Sequence, residues 1–563
     1  MHSVKSWLAN ALVGLQLRRT RWQHGRRIAR TVRDPMRVQH ALLRCIVADN
    51  RATAFGRDHG FDGIGDYAAF ARQVPVFDFE RLRPYVEAEI EQGTAALTAQ
   101  TPLGYVRTSG TTGKPKDLPL TPAYLEALRR IQEAAVAFQY RTCPEAFAGS
   151  ILAIVSPAQE GMLANGKPFG SASGIVARNT PALVQEKFVI PAAVLTIHDS
   201  RVKYLLILRL ALTRPDIGYV GAANPTTLLT LAKLYREYQT ELIRDLREGG
   251  FFLDAEVPED VRAAVRRRLR PELVRADELS RLQTCADEPT IADLWPCLRL
   301  VVTWTCASAG VAADALRREL APHTRILELG YVSSEFRGTI TIGKRAGSGL
   351  PTLDTHFFEF VERERWDRGE PEFLMLDGLQ KGVDYYVVVT TPSGLYRYFI
   401  NDLVRVHGFL HKTPLLKFVQ KGKGVTNITG EKLYESQVLT AVRGALDGMG
   451  RSARFVMMLA DDEARCYRLY VEPDHDNRPS AEFLAAEVDR RLAQINIEYQ
   501  AKRESERLGP IAAHWLQAGL GDAYKRHCVA QGQREGQFKT VALAYCKDFS
   551  FDLDAHVAHV GAA

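Results

Sequence analysis

Short apolar, β-branched runs set among long charged stretches constrain this chain more than any other feature. Residues 150–156 read Ser-Ile-Leu-Ala-Ile-Val-Ser, and 298–304 and 324–331 have the same character. Runs of that length and branching are buried strands. Residues 1–100, 120–145, 225–285 and 313–320 carry helical patterns instead. Residues 204–212, apolar except for Arg209, fit either a strand or a buried helix. The mixture predicts an α/β fold, with sheets flanked by helices. From 331 to about 420 strands dominate, at 356–361, 385–390, 395–399, 403–406 and 416–419. Gln420-Lys421-Gly422-Lys423-Gly424 then reads as a short, flexible, basic connector. Beyond it come a helix from about 432, a strand pair around 454–472, a helix at 480–499 and a mixed tail. Two domains are expected: 1–420, with a β-barrel-like part towards its end, and a small α+β domain at 421–563.

At 563 residues the chain is long enough for a large core and a deep cleft. Its formal charge is +7, and residues 1–36 account for the excess, with eight basic residues against Asp34. No basic stripe runs through the body, which argues against nucleic acid as a partner. None of the eight cysteines forms a CxxC or a Cys/His zinc spacing. Scattered cysteines in so large a chain read as reduced thiols in a cytoplasmic protein. No apolar run approaches a membrane span. The first helix has an Arg face; it reads as an amphipathic helix docked on its own domain, with a membrane-surface helix as the alternative.

Three segments carry chemistry. The first is Thr108-Ser109-Gly110-Thr111-Thr112-Gly113-Lys114-Pro115-Lys116. Glycines permit a tight turn that aims several N–H groups at one anion, while hydroxyls add donors and lysines add charge. Only two residues separate Gly110 from Gly113, so this is not a Walker A loop. The second is Tyr331-Val332-Ser333-Ser334-Glu335, directly after a predicted strand, where open α/β sheets bind ligands. An aromatic ring there suits a base, a hydroxyl suits phosphate and a carboxylate suits Mg²⁺. Alone, it also fits an ordinary strand-to-loop turn. The third is Gly394-Leu395-Tyr396-Arg397-Tyr398-Phe399-Ile400-Asn401-Asp402, whose closing Asp has acceptors for two ribose hydroxyls and is equally an ordinary turn residue.

In this order and at these spacings, the three segments resemble the adenylate-forming superfamily of acyl synthetases and luciferases. Within it the chain is similar to the auxin-responsive acyl acid amido synthetases, the Gretchen Hagen family. The pointers are Tyr-Val-Ser-Ser-Glu, Gly-Leu-Tyr-Arg-Tyr before Asp402, Leu294-Trp295-Pro296 with Trp304, Asn427-Ile428-Thr429-Gly430-Glu431-Lys432-Leu433, and Gly536-Gln537-Phe538-Lys539. The resemblance spans nearly the whole chain and implies the fold of that superfamily, with 421–563 as a mobile lid.

It also implies roles. Thr108, Ser109, Gly110, Thr111, Thr112 and Lys114 would cradle the ATP phosphates. Tyr331, Ser333 and Ser334 would contact AMP, Glu335 would hold Mg²⁺ and Asp402 would grip the ribose. Lys421 and Lys423 lie where this superfamily swings its small domain. Lys539 matches the lid lysine that reaches the α-phosphate, and is equally compatible with a solvated surface lysine. Thr305, Ala307, Ser308 and Val332 would border the acyl acid. Cys306 beside them reads as packing, since no His partner is evident. One departure stands out: the family commonly has Arg-Val-Gly before the ribose Asp, whereas here Phe399-Ile400-Asn401 precedes it. That leaves the loop around Asp402 open.

The implied activity is a two-step ligase. A carboxylic acid is adenylated by ATP·Mg²⁺ with release of pyrophosphate, and an amine, expected to be an amino acid, takes the acyl group and releases AMP. An acyl-CoA synthetase shares the first step, and a non-catalytic scaffold is a third possibility that the intact motifs argue against. The acid and amine are not legible, and a monomer is the default.

Overall fold

In the computed structural model the described residues are 4–108, 115–180, 182–285, 288–343, 347–422, 424–429, 431–475, 478–531, 533, 538 and 540–558. Packing divides the chain into two units. The first comprises Met1–Thr303, Glu319–Ile400 and Arg405–Lys417; the second comprises Trp304–Arg318, Asn401–Val404 and Phe418–Ala563.

A parallel sheet lies in the first unit, with strands Ser150–Ile154, Ile217–Ala222, Leu300–Thr303 and Arg325–Glu328 side by side in that order. These are the apolar runs of the sequence, and helices separate them because parallel neighbours need a crossover. One crossover is Ser200–Leu212, which resolves the open reading of 204–212 in favour of helix. Asp199 caps it by accepting from the Val202 N–H at 2.8 Å. Residues 204–212 are buried all round, which erases the amphipathic period that would have identified the helix. Even Arg209 is interior, its Nε donating to Gly250 O at 3.0 Å and its Nη2 to Asp245 O at 2.9 Å.

A second, four-stranded sheet contains the hairpin Gly104–Arg107 and Asp117–Leu120. A third has seven strands in the order Phe373–Leu374, Phe357–Glu362, Asp384–Thr390, Tyr398–Leu410, Thr413–Lys421, Ser348–Pro351 and Thr339–Ile340. The first helix, Val4–Thr31, docks on this unit. Ile28 packs against Phe138 and Ile340 on one side and Leu350 and Leu415 on another. Arg27 pairs with Asp354 at 2.6 Å. Among the described residues no helix is long and apolar enough to cross a membrane.

The second unit is built on a sheet ordered Ala512–Trp515, Cys466–Pro473, Ala453–Asp461 and Leu543–Tyr545. Val438, Val442, Leu484 and Val488, from helices Glu435–Gly448 and Ala481–Ile495, bury one face against Met458, Leu469 and Val471. Phe455, Met457 and Tyr470 line the other face with Leu516, Leu520 and Leu553.

Four boundaries differ from expectation. Residues 395–399 and 403–406 are not two strands; a single strand, Tyr398–Leu410, runs through the polar Asn401-Asp402 pair that looked like a break. The helix expected at 313–320 starts at Ala309. The helix expected at 480–499 is two, because Asn496 accepts from the Tyr499 N–H at 2.9 Å and caps a new helix, Ile497–Glu504. The connector at 420 is ordered strand at its start: Gln420 is buried and accepts from the Ser436 N–H at 3.0 Å.

Glu435 lies fully buried beside that connector, its N–H donating to Gly424 O at 2.8 Å and its Oε1 accepting from the Ala542 N–H at 2.7 Å. Burial pushes its carboxyl up to about 7, against the single backbone donor. A carboxyl that holds its proton more tightly in the fold stabilises below the unfolded value, and that contribution fades as pH rises through the folded one. The second unit should therefore lose about 3 kcal/mol between pH 4.5 and 7 from this group. Denaturant titrations across that range should show the slope in wild type and its loss in Glu435→Gln; an unchanged slope would remove the assignment.

Candidate active site

The hairpin Gly104–Arg107/Asp117–Leu120 carries the first motif on its loop. Cross-strand partners Arg107 and Asp117 form a bidentate pair, Nε to Oδ1 at 2.7 Å and Nη2 to Oδ2 at 2.9 Å. The Thr108 N–H donates to Lys116 O at 2.9 Å and closes the loop's base. Ser109, Gly110, Thr111, Thr112 and Lys114 lie outside the described residues.

The second motif follows the edge strand of the parallel sheet, Arg325–Glu328. Gly330 N–H turns back to Glu328 Oε1 at 3.0 Å, and Thr339 Oγ1 accepts from the Tyr331 N–H at 2.9 Å. Val332 bridges to Arg337, and the Ser333 N–H donates to Phe336 O at 3.0 Å, so 332–337 form a tight loop. Tyr331 is buried, its ring edge-on to Phe336. Ser333, Ser334 and Glu335 are partly exposed. Beneath them Tyr124 Oη donates either to Glu335 O, 3.4 Å away, or to His356 Nε2, 3.3 Å away. His356, with Thr352 Oγ1 2.8 Å from its Nδ1, is completely enclosed, and burial drives its imidazole down to about 3. The ring stays neutral at any working pH and acts as scaffold.

Lys116 joins the motifs of the first unit. Its ammonium donates to Tyr398 Oη at 2.9 Å and stands 3.6 Å from Glu335 Oε1. The base of the Gly/Thr loop, the carboxylate of Tyr-Val-Ser-Ser-Glu and a tyrosine of Gly-Leu-Tyr-Arg-Tyr thus meet at one cation. Lys116 stood in the quoted loop, but nothing in its spacing separated it from Lys114.

The rest of the third motif is structural. Arg397, with φ +40, inserts a guanidinium beside Glu359: Nε to Oε1 at 3.1 Å and to Oε2 at 3.0 Å, and Nη2 to Oε1 at 2.7 Å. Its Nη1 donates to Ala71 O and Val74 O, both at 2.9 Å, and Tyr67 Oη donates to Glu359 Oε1 at 3.0 Å. Tyr396 Oη donates to Leu97 O at 2.6 Å, and its ring stacks on Phe55. A lone Glu359 in an apolar strand gave no sign of this pair in the sequence.

The remaining site residues belong to the second unit. Asp402 is buried, and Lys421 Nζ donates to its Oδ1 at 3.2 Å. Asn401 before it takes the left-handed φ of +57. Asparagine tolerates that conformation, so it can stand where the family has glycine. The Gly422 N–H donates to Asn401 O at 2.7 Å, and a Cβ on Gly422 would fall 1.8 Å from Asn401 Oδ1, so a side chain there would have to displace the Asn401 amide. Thr305, Ala307 and Ser308 form a half-buried turn before helix Ala309–Arg318, with Ala307 at φ +53. Glu431, of the Asn-Ile-Thr-Gly-Glu segment, pins its own turn by accepting from the N–H groups of Ile428 and Thr429 at 2.8 Å and from Tyr467 Oη at 2.7 Å. Lys423 and Lys539 lie outside the described residues, though Phe538 beside Lys539 is buried against Tyr524.

A parallel sheet with loop motifs beyond its strands, a seven-stranded sheet and a separate α+β unit define an adenylate-forming ligase fold. The 2-hydroxyisobutyryl-CoA ligase in its postadenylation state superposes with a TM-score of 0.51 at 11% identity, over 88% of this chain and 91% of that one. A GH3.15 acyl acid amido synthetase superposes far better, with a TM-score of 0.81 at 21% identity over 94% and 96%. The chain belongs to the GH3 family: its N-terminal domain matches residues 25–326, its central domain 349–421 and its C-terminal domain 436–545. Among its relatives, the jasmonoyl–L-amino acid synthetase JAR4 of Nicotiana attenuata is 25% identical over 90% of this chain and 91% of its own length. The indole-3-acetic acid-amido synthetase GH3.17 of Arabidopsis thaliana is 24% identical over 89% and 90%.

Breaking the interior Arg397–Glu359 pair should be costly even though the intact pair adds little net stability. Glu359→Gln should cost about 3–5 kcal/mol, because it leaves a buried guanidinium uncompensated. A change under 1 kcal/mol in chemical denaturation would count against that. Lys116→Met, at a partly exposed side chain, should barely move the melting temperature yet slow adenylation at least about a hundredfold, in line with removal of one preorganised charged donor; normal exchange kinetics would take Lys116 out of the site.

Proposed function

We propose that the protein is an ATP-dependent acyl acid amido synthetase that joins a carboxylic acid to the amine of an amino acid through an acyl-adenylate. Membership of the GH3 family supports this reading, and the observation that carries it is the meeting of all three sequence motifs of the first unit around Lys116 and Glu335.

In the first half-reaction an oxygen of the acid attacks the α-phosphorus of ATP, the bond to the bridging oxygen breaks and pyrophosphate leaves. Thr108 with Ser109, Gly110, Thr111, Thr112 and Lys114 receives the phosphates, Tyr331, Ser333 and Ser334 contact the adenylate, and Asp402 takes the ribose hydroxyls. Glu335 is the residue for Mg²⁺. Among the described residues no three His, Cys, Asp or Glu side chains cluster, but Mg²⁺ at a nucleotide needs only one or two carboxylates beside the phosphates. A single Glu335 therefore fits. The ion, when bound, neutralises charge developing on the phosphoryl oxygens; Lys116, 3.6 Å from the same carboxylate, holds it until then.

In the second half-reaction the amine nitrogen attacks the activated carbonyl, loses a proton and expels AMP. Residues 1–420 serve as the adenylation domain and 421–563 as a mobile lid, turning near Lys421 and Lys423. Lys539 is the lid residue that meets the α-phosphate during adenylation. Thr305, Ala307, Ser308 and Val332 border the acid. Lid closure keeps water from the adenylate. None of the eight cysteines is in a disulfide, which suits a cytoplasmic protein.

ATP–pyrophosphate exchange across aryl, indolyl and aliphatic acids, followed by an offer of amino acids or CoA to the acids that respond, tests the reading. Exchange with an amide product is expected; a thioester alone would move the protein to the acyl-CoA synthetases. Asp402→Ala should sharply weaken ATP use. Lys539→Ala should slow adenylation by about a hundredfold or more while sparing amide formation from a supplied acyl-adenylate; equal loss in both steps would show that Lys539 does not act in adenylation alone.

A further inference from the structure

Helix Val4–Thr31 rests on the first unit by one face only. On that face Leu17 packs against the cluster of Phe147, Val302 and Leu327, and Ile28 packs as described above. His24 Nε2 stands 3.5 Å from Glu133 Oε2, and Arg27 Nε pairs with Asp354 Oδ2 at 2.6 Å; among the described residues the helix makes no other ion pair. The other face differs. Leu15 and Trp22, two turns apart and so on one side, are 66% and 57% exposed. Arg18, Arg19 and Arg26, each three or four residues from one of them, stand exposed alongside. Arg26 lays its guanidinium over the Trp22 ring at 3.8 Å. The whole helix contains no Asp or Glu.

Two other long helices show the contrast. On Pro122–Thr142 Arg129 binds Glu126 and Glu133, and on Ala481–Ile495 Arg490 and Arg491 bind Glu487. A solubilising surface mixes both signs in this way. Where the first helix ends, Arg26, Arg30 and Arg37 line, with Trp22, a recess of about 650 Å³. Asp34 lines it too, but its carboxylate caps the next helix, accepting from the Arg37 N–H at 3.3 Å. The free face is thus a row of cations with apolar side chains among them, ending in a basic hollow. Phosphate alone answers the arginines and leaves Leu15 and Trp22 in water. A lipid interface answers both: apolar side chains enter it, and arginine stems follow with their heads at the phosphates.

We propose that this face is a docking surface for an anionic lipid bilayer. Leu15 and Trp22 enter the interface, Arg18, Arg19, Arg26 and Arg30 bind lipid phosphates, and the opposite face of the same helix stays on the first unit. Both readings of the first helix hold together, one on each face. The formal charge of +7 is gathered in residues 1–36, so attraction to an anionic surface is directional and turns this helix towards it. A nucleic-acid backbone would use the arginines but not Leu15. The attachment is independent of the ligase reading, since none of these residues belongs to the proposed active site.

Co-sedimentation of the full chain with phosphatidylcholine vesicles, with and without phosphatidylglycerol, tests this. Binding to the anionic vesicles alone is expected, and it should weaken as salt is raised. Arg18→Gln with Arg19→Gln should lower the affinity by about twentyfold or more, at about fivefold for each arginine. Arg244→Gln with Arg267→Gln removes the same charge from exposed positions elsewhere and should change it by no more than about twofold. Leu15→Ser with Trp22→Ser should lower it by about tenfold. Lipids with brominated acyl chains should quench tryptophan fluorescence in wild type and less so in Trp22→Phe. Every variant should melt with wild type, because the substituted side chains are exposed. No binding to the anionic vesicles, equal binding to both kinds, equal loss from the two arginine pairs, or quenching unchanged in Trp22→Phe overturns the proposal. Tighter binding to a DNA duplex than to the anionic vesicles overturns it too, and makes the face a nucleic-acid surface.

Discussion

The first unit depends on one buried ion pair. Glu359 lies on strand Phe357–Glu362 and Arg397 immediately before strand Tyr398–Leu410, and the same guanidinium also holds Ala71 O and Val74 O at the end of the helix Tyr67–Gln73. A fully desolvated pair contributes little net stability, yet removing one partner strands a charge. Its value is therefore geometric. It fixes the φ +40 backbone at Arg397 and so the direction of the strand that begins at Tyr398. Tyr398 in turn sets Lys116, and Lys116 sets Glu335. A residue outside the proposed site thereby sets the position of the carboxylate within it.

The same economy recurs around Glu335. Strand ends in a parallel sheet open into loops free to carry function, but a free loop positions nothing. Here the loop 332–337 is held by its own backbone bonds and undersewn by Tyr124 and His356. The neutral, enclosed imidazole contributes by staying uncharged. Polar groups buried with all their bonds made confer a single arrangement, which the role proposed for Glu335 beside metal and phosphate requires.

The sequence carried most of the architecture because the parallel strands are uniformly apolar and the motifs are locally dense. Helix 200–212 stayed ambiguous for a physical reason: burial on every side removes the period that separates helix from strand. The strand through Asn401-Asp402 looked broken because polarity imitates a turn. Gln420 and Lys421 looked like flexible chain because glycines follow them, whereas Gln420 is fixed from both sides by Gly424 and Ser436. Glu359 and Glu435 went unread. Each is a single charged residue whose partner, Arg397 for one and the Ala542 N–H for the other, is distant in sequence, and no local pattern encodes it.

Asn401 shows how a departure from a family pattern is absorbed. At the position before Asp402, where the resembled family commonly has glycine, this chain takes a left-handed backbone, and asparagine is among the non-glycine residues that accept it most readily. The larger side chain then claims space that the facing strand has to give up. Gly422 does so: its missing Cβ makes room for the Asn401 amide, and its N–H binds Asn401 O. The glycine requirement is met across the pair instead of at one position. The consequence falls on function, because strands locked at 401 and 422 present their adjoining residues, Asp402 and Lys421, to one another at 3.2 Å. The carboxylate proposed for ribose is thus aligned by the residue that opens the connector, so the backbone substitution and the electrostatics around Asp402 are a single arrangement.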